Sequence, residues 1–205
     1  MKGLLLLSGG FDSPVAGYLM RKKNVELTAL HFSGEPFVKA NAKEKAKLLA
    51  KKIGCTKIII FPFGEIQAET VNSCRHRYYF IITKRIMFRI AQKFAEKEGC
   101  DFLVTGDNLG QVGSQTLINL SLINSAINIE VLQPLLCFDK QEIINLAKEI
   151  GTHDLSIGPE MCSLLGPKHP ATRAKKEKIE IEEKKFNIEK LMLKGFEKLK
   201  AENLK

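Results

Sequence analysis

A run of four leucines, Leu4 to Leu7, breaks into Ser8-Gly9-Gly10-Phe11-Asp12-Ser13-Pro14, and this junction constrains the chain more than any other segment. A short unbroken apolar run reads as a buried strand. Two glycines then allow the backbone to bend sharply and to approach a ligand closely. Pro14 falls near the first turn of the next helix, where its missing N–H costs nothing. The N–H groups and dipole of such a helix start favour phosphate. Ser8 and Ser13 add hydroxyl donors. Bare phosphate would repel the Asp12 carboxylate, so that residue suits a magnesium ion held beside the phosphates. The segment is neither a Walker loop nor a G-x-G-x-x-G fingerprint. Stripped of its strand and helix, it would be no more than a serine-capped turn.

The rest of the chain alternates in the same way. Strands are expected at Leu4–Leu7, Val25–Phe32, Lys57–Phe61, Phe102–Thr105 and Ile129–Leu132. Helices are expected at Pro14–Lys22, Lys39–Ile53 and Gln111–Ile123, with a long one inside Thr70–Glu98. Another starts at Asp139 and ends at Ile150 before Gly151. Strands alternating with helices predict an α/β fold: a parallel five-stranded sheet with helices on both faces. Thr152–Thr172 interrupts the pattern as a loop. From Ala174 onward the chain is rich in lysine and glutamate with spaced apolar residues, which predicts an amphipathic terminal helix. The division expected is a catalytic domain over 1–172 and a helical tail over 173–205.

The formal net charge of +9 points to a polyanionic partner, nucleic acid first. None of the five cysteines forms a CxxC pair, so no zinc or iron–sulfur motif is visible. The leucine run is too short to span a membrane and lacks the cleavage site of a signal peptide. A cytoplasmic protein with no membrane partner is the expectation.

The opening loop resembles the PP-loop of the ATP pyrophosphatases, which release pyrophosphate from ATP and leave AMP on an acceptor oxygen. The run from Asp12 to Met20 then resembles the tRNA 4-thiouridine synthases of the ThiI family. Further segments resemble that family in order: Leu30-His31-Phe32, Thr83 to Ala91, Val104 to Thr116 (VTGDNLGQVGSQT), Gln133-Pro134-Leu135, Asp139 to Ile144, and Pro159 to Cys162 followed by Pro167-Lys168-His169-Pro170. The resemblance implies an adenine nucleotide alpha hydrolase-like fold over residues 3–175. It also implies an ATP site of Leu6, Leu7, Ser8, Gly9, Gly10, Phe11, Asp12, Ser13, His31, Phe32, Lys84, Gly106 and Gln115. Asp12, Lys140 and Cys162 would be catalytic, with ATP and Mg2+ bound and Asp12 on the metal. The reaction implied is adenylation of uridine O4, at tRNA position 8, followed by its replacement with sulfur.

Thiolate is the reactive form of sulfur, and Cys162 lies in a loop near basic residues. Cys74 has Arg75, His76 and Arg77 beside it, neighbours able to lower a thiol pKa, which leaves open a second role for it as a resolving partner of Cys162. Cys55, Cys100 and Cys137 read as structural. Family members commonly carry an RNA-binding THUMP domain, and some carry a rhodanese-like domain. No such segment is expected in this chain, and Phe80-Ile81-Ile82-Thr83 stands where some archaeal relatives have the CxxC of a cluster. The partners this admits are tRNA, a sulfur donor protein or sulfide, a separate THUMP-containing RNA-binding protein, and a second copy of the chain as a homodimer. Two other functions stay open: adenylation of another nucleobase, small molecule or sulfur carrier, and an ATP-binding subunit of a larger modification complex.

Overall fold

The computed structural model describes residues 1–37, 41–110, 114–157 and 165–204, so Lys39, Gln111 and Cys162 lie outside the described residues. The five expected parallel strands are present: β1 (Lys2–Leu6), β2 (Glu26–Ser33), β3 (Lys57–Pro62), β4 (Phe102–Val104) and β5 (Glu130–Leu132). A sixth strand, β6 (Lys200–Asn203), pairs antiparallel with β3 and completes the order β5-β4-β1-β2-β3-β6. Its four residues are all exposed, so it has no apolar run by which a sequence reading would find it.

Side chains alternate across the sheet, as strand geometry requires. Leu4, Leu30, Ile59 and Phe61 face one core, while Leu5, Leu7, Ala29, Ile58 and Ile60 face the other. The second core is covered by α1 (Asp12–Lys22), α2 (Asn41–Lys52) and α6 (Lys140–Glu149), through Val15, Ala16, Leu49, Ala50, Ile143 and Ala147. The first is covered by α3 (Gly64–Ser73), α4 (Tyr79–Glu98) and α5 (Leu117–Asn124). A short helix, α7 (His153–Ser156), forms within the expected loop.

The long helix expected inside Thr70–Glu98 is α4, Tyr79–Glu98, ended by Gly99; before it α3 stops at Ser73, Cys74 and Arg75 are extended, and a 3₁₀ turn spans His76–Tyr78. One expectation is corrected here. The single terminal helix is two, α8 (Lys176–Glu183) and α9 (Ile188–Lys198). Asn187 caps α9 by accepting a hydrogen bond from the Lys190 amide, an N-cap signal that was present in the sequence. The tail packs into the first core. Phe196 lies 5.4 Å from the Phe61 ring and 5.1 Å from Phe94. Buried Glu183 accepts from Arg85 Nε at 2.8 Å and from Arg89 Nη2 at 2.6 Å.

The chain runs β1 to β2 to β3 in one direction across the sheet, and β4 to β5 in the other. The order therefore reverses between β1 and β4, and ligands of open α/β sheets bind beyond the carboxyl ends of the strands at such a reversal. Among the described residues no helix is long and apolar enough to cross a membrane.

Candidate active site

The loop after β1 closes on itself through its serines. Ser8 N donates to Ser13 Oγ at 3.0 Å, the two hydroxyls lie 3.1 Å apart, and Gly10 N donates to Ser8 Oγ at 3.2 Å. Ser8 and Ser13 thus act first as braces that set the shape of the loop. Gly9 stands at φ +96°, a conformation that L side chains rarely adopt. Phe11 is the N-cap of α1 and makes no side-chain cap bond, so no side chain of the cap covers the first amides. Asp12 sits in that first turn.

The loop after β4 meets this helix start directly. A Cβ built on Gly106 would lie 2.6 Å from Ser13 N and 2.7 Å from the Asp12 carbonyl carbon. Only hydrogen fits there. The next residue, Asp107, is buried and forms an ion pair with Lys84 of α4. Its other oxygen accepts from Thr105 Oγ1 at 2.7 Å and from Gln133 Nε2 at 3.2 Å. Burial pushes this carboxyl up, but the Lys84 ammonium and the three hydrogen bonds outweigh it and hold the group below the usual carboxylate range. The sequence singles out Lys84 and places Gly106-Asp107-Asn108 at the carboxyl edge of a strand, but it gives Asp107 no role of its own.

Asn108 is also buried and donates from Nδ2 to the carbonyls of Leu135 (2.7 Å) and Phe138 (2.6 Å). That clamp holds the segment leading into α6, which opens with a capping box of Asp139 and Glu142. Lys140, the first residue of α6, is exposed. Beyond Asn108 the chain turns at Gly110, whose amide donates to the Gln115 carbonyl at 3.0 Å. Among the described residues, Gln115 Oε1 is buried without a partner.

On β2 the two residues assigned together separate to opposite faces. His31 Nδ1 donates to the Leu7 carbonyl at 2.8 Å, joining β2 to the exit of β1. Its Nε2 is then an acceptor, and it is buried with no partner among the described residues. Ser33 Oγ, on the same face of β2, is buried and unpartnered too, and sequence reasoning did not find it. Phe32 faces the other core, edge-on to Phe61 and Phe63 at 5.9 and 5.2 Å. It supports the strand from below and does not share a face with His31.

Burial lowers the His31 pKa, the Lys43 charge lowers it further, and the hydrogen bond to Leu7 opposes both. The folded pKa therefore lies under the unfolded value of about 6.5. Above that value the group contributes no pH dependence. Below it the unfolded chain takes a proton that the folded chain resists, so stability falls, by at most about 1.4 kcal/mol per pH unit. Urea unfolding between pH 7.5 and 5.5 is expected to show this loss, and His31→Gln to flatten it. An equal slope in both proteins would contradict the assignment.

The segment that carries Cys162 lies outside the described residues, but both of its flanks are fixed. On one side the His153 ring packs against Phe11 of the loop, with centroids 5.3 Å apart. Lys45 of α2 donates to the carbonyls of Ser156 (2.9 Å) and Ile157 (3.3 Å). On the other side His76 Nε2 donates to the Leu165 carbonyl at 2.8 Å, and Ala171 N to the Arg77 carbonyl at 2.9 Å. The flank that precedes Cys162 is therefore set against the opening loop.

The basic neighbours of Cys74 in sequence do not activate its thiol. It is buried, its Sγ–H donates to the Glu182 carbonyl at 3.4 Å, and burial and the Glu182 carboxylate push its pKa up to about 11. Arg75, the neighbour expected to lower it, is paired with Glu182. Cys55 and Cys100 are buried and likewise raised by burial, to about 12 and about 11. Cys137 is exposed.

Among the described residues no group of three or more His, Cys, Asp or Glu side chains is placed to hold a metal ion. Magnesium needs no such cage: it takes one or two carboxylates and completes its shell with phosphate oxygens and water. Asp12, a hard oxygen donor in the first turn of α1, fits that donor set.

The sequence matches the family described as thiamine biosynthesis protein (ThiI) over residues 1–188. It is 44% identical over 204 residues to a probable tRNA sulfurtransferase of Moorella thermoacetica, covering 97% of this chain and 52% of that protein. The crystal structure of a 4-thiouridine synthetase–RNA complex with bound ATP superposes with a TM-score of 0.93 at 38% identity, over 100% of this chain and 55% of that one. An NMN synthetase from Francisella tularensis shares the fold, with a TM-score of 0.57 at 15% identity over 82% of this chain and 69% of that one. The chain spans about half the length of the curated relatives it matches.

Proposed function

The chain belongs to the ThiI family, and from that membership we propose that it adenylates uridine O4 in tRNA, at position 8, and replaces the oxygen with sulfur to give 4-thiouridine. The observation that carries this reading is the abutment of Gly106 on the Asp12–Ser13 backbone. It joins the phosphate loop and the Asp107–Lys84 pair into one site at the point where strand order reverses. The relative that superposes over this whole chain holds ATP and RNA. ATP would lie with its phosphates on the amides that begin α1 and with its nucleoside part towards His31 Nε2 and Gln115 Oε1, both buried and unpartnered.

Uridine O4 is a poor leaving group. Its attack on the α-phosphorus forms an O–P bond, breaks the bond to the β-phosphate, and releases pyrophosphate with the electron pair. The loop amides, Lys84 and Lys140 neutralise the charge that develops. Asp12 would hold magnesium, which when bound supplies positive charge to the phosphates. Sulfide, or a persulfide sulfur on Cys162, then attacks C4, and AMP departs with the C4–O4 electron pair. The persulfide route also needs a second thiol, which takes up the Cys162 sulfur as a disulfide and frees the product. The net charge of +9 suits tRNA, and exposed Arg173, Lys175 and Lys176 are candidate phosphate contacts. The same reading places the enzyme in the cytoplasm with its tRNA, a sulfur donor and a THUMP-containing RNA-binding unit.

ATP–pyrophosphate exchange with and without unmodified tRNA, together with nucleoside analysis for 4-thiouridine, tests this. Cys162→Ser is expected to keep the exchange and to lose thiolation from a protein sulfur donor. Undiminished thiolation in that variant would remove Cys162 from the mechanism. Absence of tRNA-dependent exchange in the wild type would overturn the adenylation reading itself.

A further inference from the structure

We infer that residues 165–174, a strap beside the site, join Arg77 in a surface that clamps the phosphate backbone of the RNA substrate; this deepens the tRNA reading and rests on it. Residues 165–176 hold four cations and a histidine but no carboxylate. The strap is tied along both edges. On one edge His76 Nε2 donates to the Leu165 carbonyl at 2.8 Å, and Ala171 N donates to the Arg77 carbonyl at 2.9 Å. On the other, Thr116 Oγ1 donates to the Thr172 carbonyl at 2.7 Å. Fully buried Asn119 of α5 donates there to the Ala171 carbonyl at 2.8 Å and accepts from Ala174 N at 3.0 Å. Pro167 and Pro170 fix two of the strap's φ angles. Arg77, Lys168, His169 and Arg173 are thereby gathered between the 3₁₀ turn and α5, and all four are exposed.

Two neighbours of the strap are paired: Arg75 with Glu182, and Lys176 with Glu180. Among the described residues, Arg77, Lys168, His169 and Arg173 have no such carboxylate partner. Unpaired cations set close together repel one another, and a polyanion relieves that repulsion. Phosphate suits these groups, since arginine meets two oxygens in a planar fork and lysine acts as a point charge. The Arg77 guanidinium stands over the Tyr78 ring, 5.6 Å from its centroid, and the strap is already held by its hydrogen bonds, so little ordering is left to binding. The strap also borders the site. Asn119 Nδ2 donates to the Ser114 carbonyl at 2.9 Å as well, so one buried amide fixes both the strap and the segment that carries Gln115. Leu165 stands three residues beyond Cys162 in sequence. The reaction proposed brings a nucleic acid to this mouth, which favours RNA over an acidic protein as the occupant.

The test is binding of unmodified tRNA, by fluorescence anisotropy over a range of salt concentrations, to wild type, Arg77→Gln/Lys168→Gln and a control, Lys22→Gln/Lys23→Gln. The control removes the same charge at the far end of α1, about 16 Å from the loop. Arg77→Gln/Lys168→Gln is expected to bind tRNA about 10- to 100-fold more weakly and to flatten the slope of log affinity against log salt by about 2. Its magnesium ATP affinity, by calorimetry, and its melting temperature should stay at the wild-type values. The control should bind tRNA close to wild type, because charges that far from the contact are screened. An affinity and a slope equal to the control's would overturn the inference. So would unchanged tRNA binding with loss of thiolation from a persulfide-carrying protein, which would make the strap a protein-docking surface. A wild type that binds no tRNA would remove the tRNA reading as well, a result distinct from a wild type that binds tRNA without using Arg77 and Lys168.

Discussion

Gly106→Ala is expected to cost about 100-fold or more in ATP–pyrophosphate exchange, although the added group is a single methyl. The methyl carbon would lie 2.6 Å from Ser13 N, 2.7 Å from the Asp12 carbonyl carbon and 2.9 Å from Ser13 Cα. These are backbone atoms and cannot rotate aside. Either the start of α1 or the end of β4 must move by several tenths of an ångström. Both ends of the site are set by that contact, and positional errors of about 1 Å cost factors near 100 in reactions that depend on alignment. Overpacking of this kind also destabilises by about 1–3 kcal/mol, which lowers Tm by about 2–12 °C in a chain of this length. Gly99→Ala is the control. Gly99 caps α4 at φ +65°, with nothing within 4 Å of an added Cβ. It should lose about 1 kcal/mol to backbone strain and keep its exchange activity. A Gly106→Ala protein that exchanges pyrophosphate like wild type would show that the two loops do not form one site.

Lys84→Met should destabilise strongly and abolish exchange, and the two effects can be separated. The substitution leaves the Asp107 carboxylate buried and uncompensated, which costs about 3–5 kcal/mol for a fully buried pair. The Lys84 side chain is 26% exposed, so the lower end, about 3 kcal/mol, is expected. The pH dependence identifies the cause. In the wild type the Asp107 pKa is depressed below its unfolded value of about 3.9, so its contribution is present above that pH and is lost as pH falls through the folded value. Without Lys84, burial acts with less opposition and the folded pKa rises above the unfolded one. The deficit relative to wild type should then be full at neutral pH and shrink as pH falls and Asp107 protonates in the folded state. Urea unfolding at pH 7.5 and 5 measures it. The double variant Lys84→Met/Asp107→Leu should recover most of the stability and none of the exchange. Recovery of exchange in the double variant would make the pair purely structural.

The chain's periodicities and punctuation were enough to read the five parallel strands of the sheet. Leu4–Leu7, Val25–Phe32 and Lys57–Phe61 are apolar runs bounded by turns, and each is a strand within a residue or two of where it was expected. Such runs are local and depend on side chains a few positions apart. The same holds for the Asp139 cap and the glycines that end α2, α4 and α6. The loop at Ser8–Ser13 was legible because the strand, the bend and the helix start follow one another without a gap.

Other features were not local. Cys74 carries three basic or aromatic-basic neighbours in sequence, yet the group that governs it is Glu182, more than a hundred positions away. Arg85 and Arg89 look like part of a basic face with Lys84, but Glu183 from the tail takes both, and only Lys84 turns to Asp107. His31 and Phe32 are adjacent in sequence and opposed across the sheet, because strand side chains alternate. β6 has no apolar pattern at all; β3 selects it by backbone pairing. Sequence alone determined which short segments become strands and helices and where the Ser8–Ser13 bend stands between β1 and α1, since those follow from contacts between near neighbours. Only the tertiary structure decided which charges pair, which thiols are buried and that Gly106 lies against the loop, because each of those depends on the free energy of bringing together residues that the chain holds far apart.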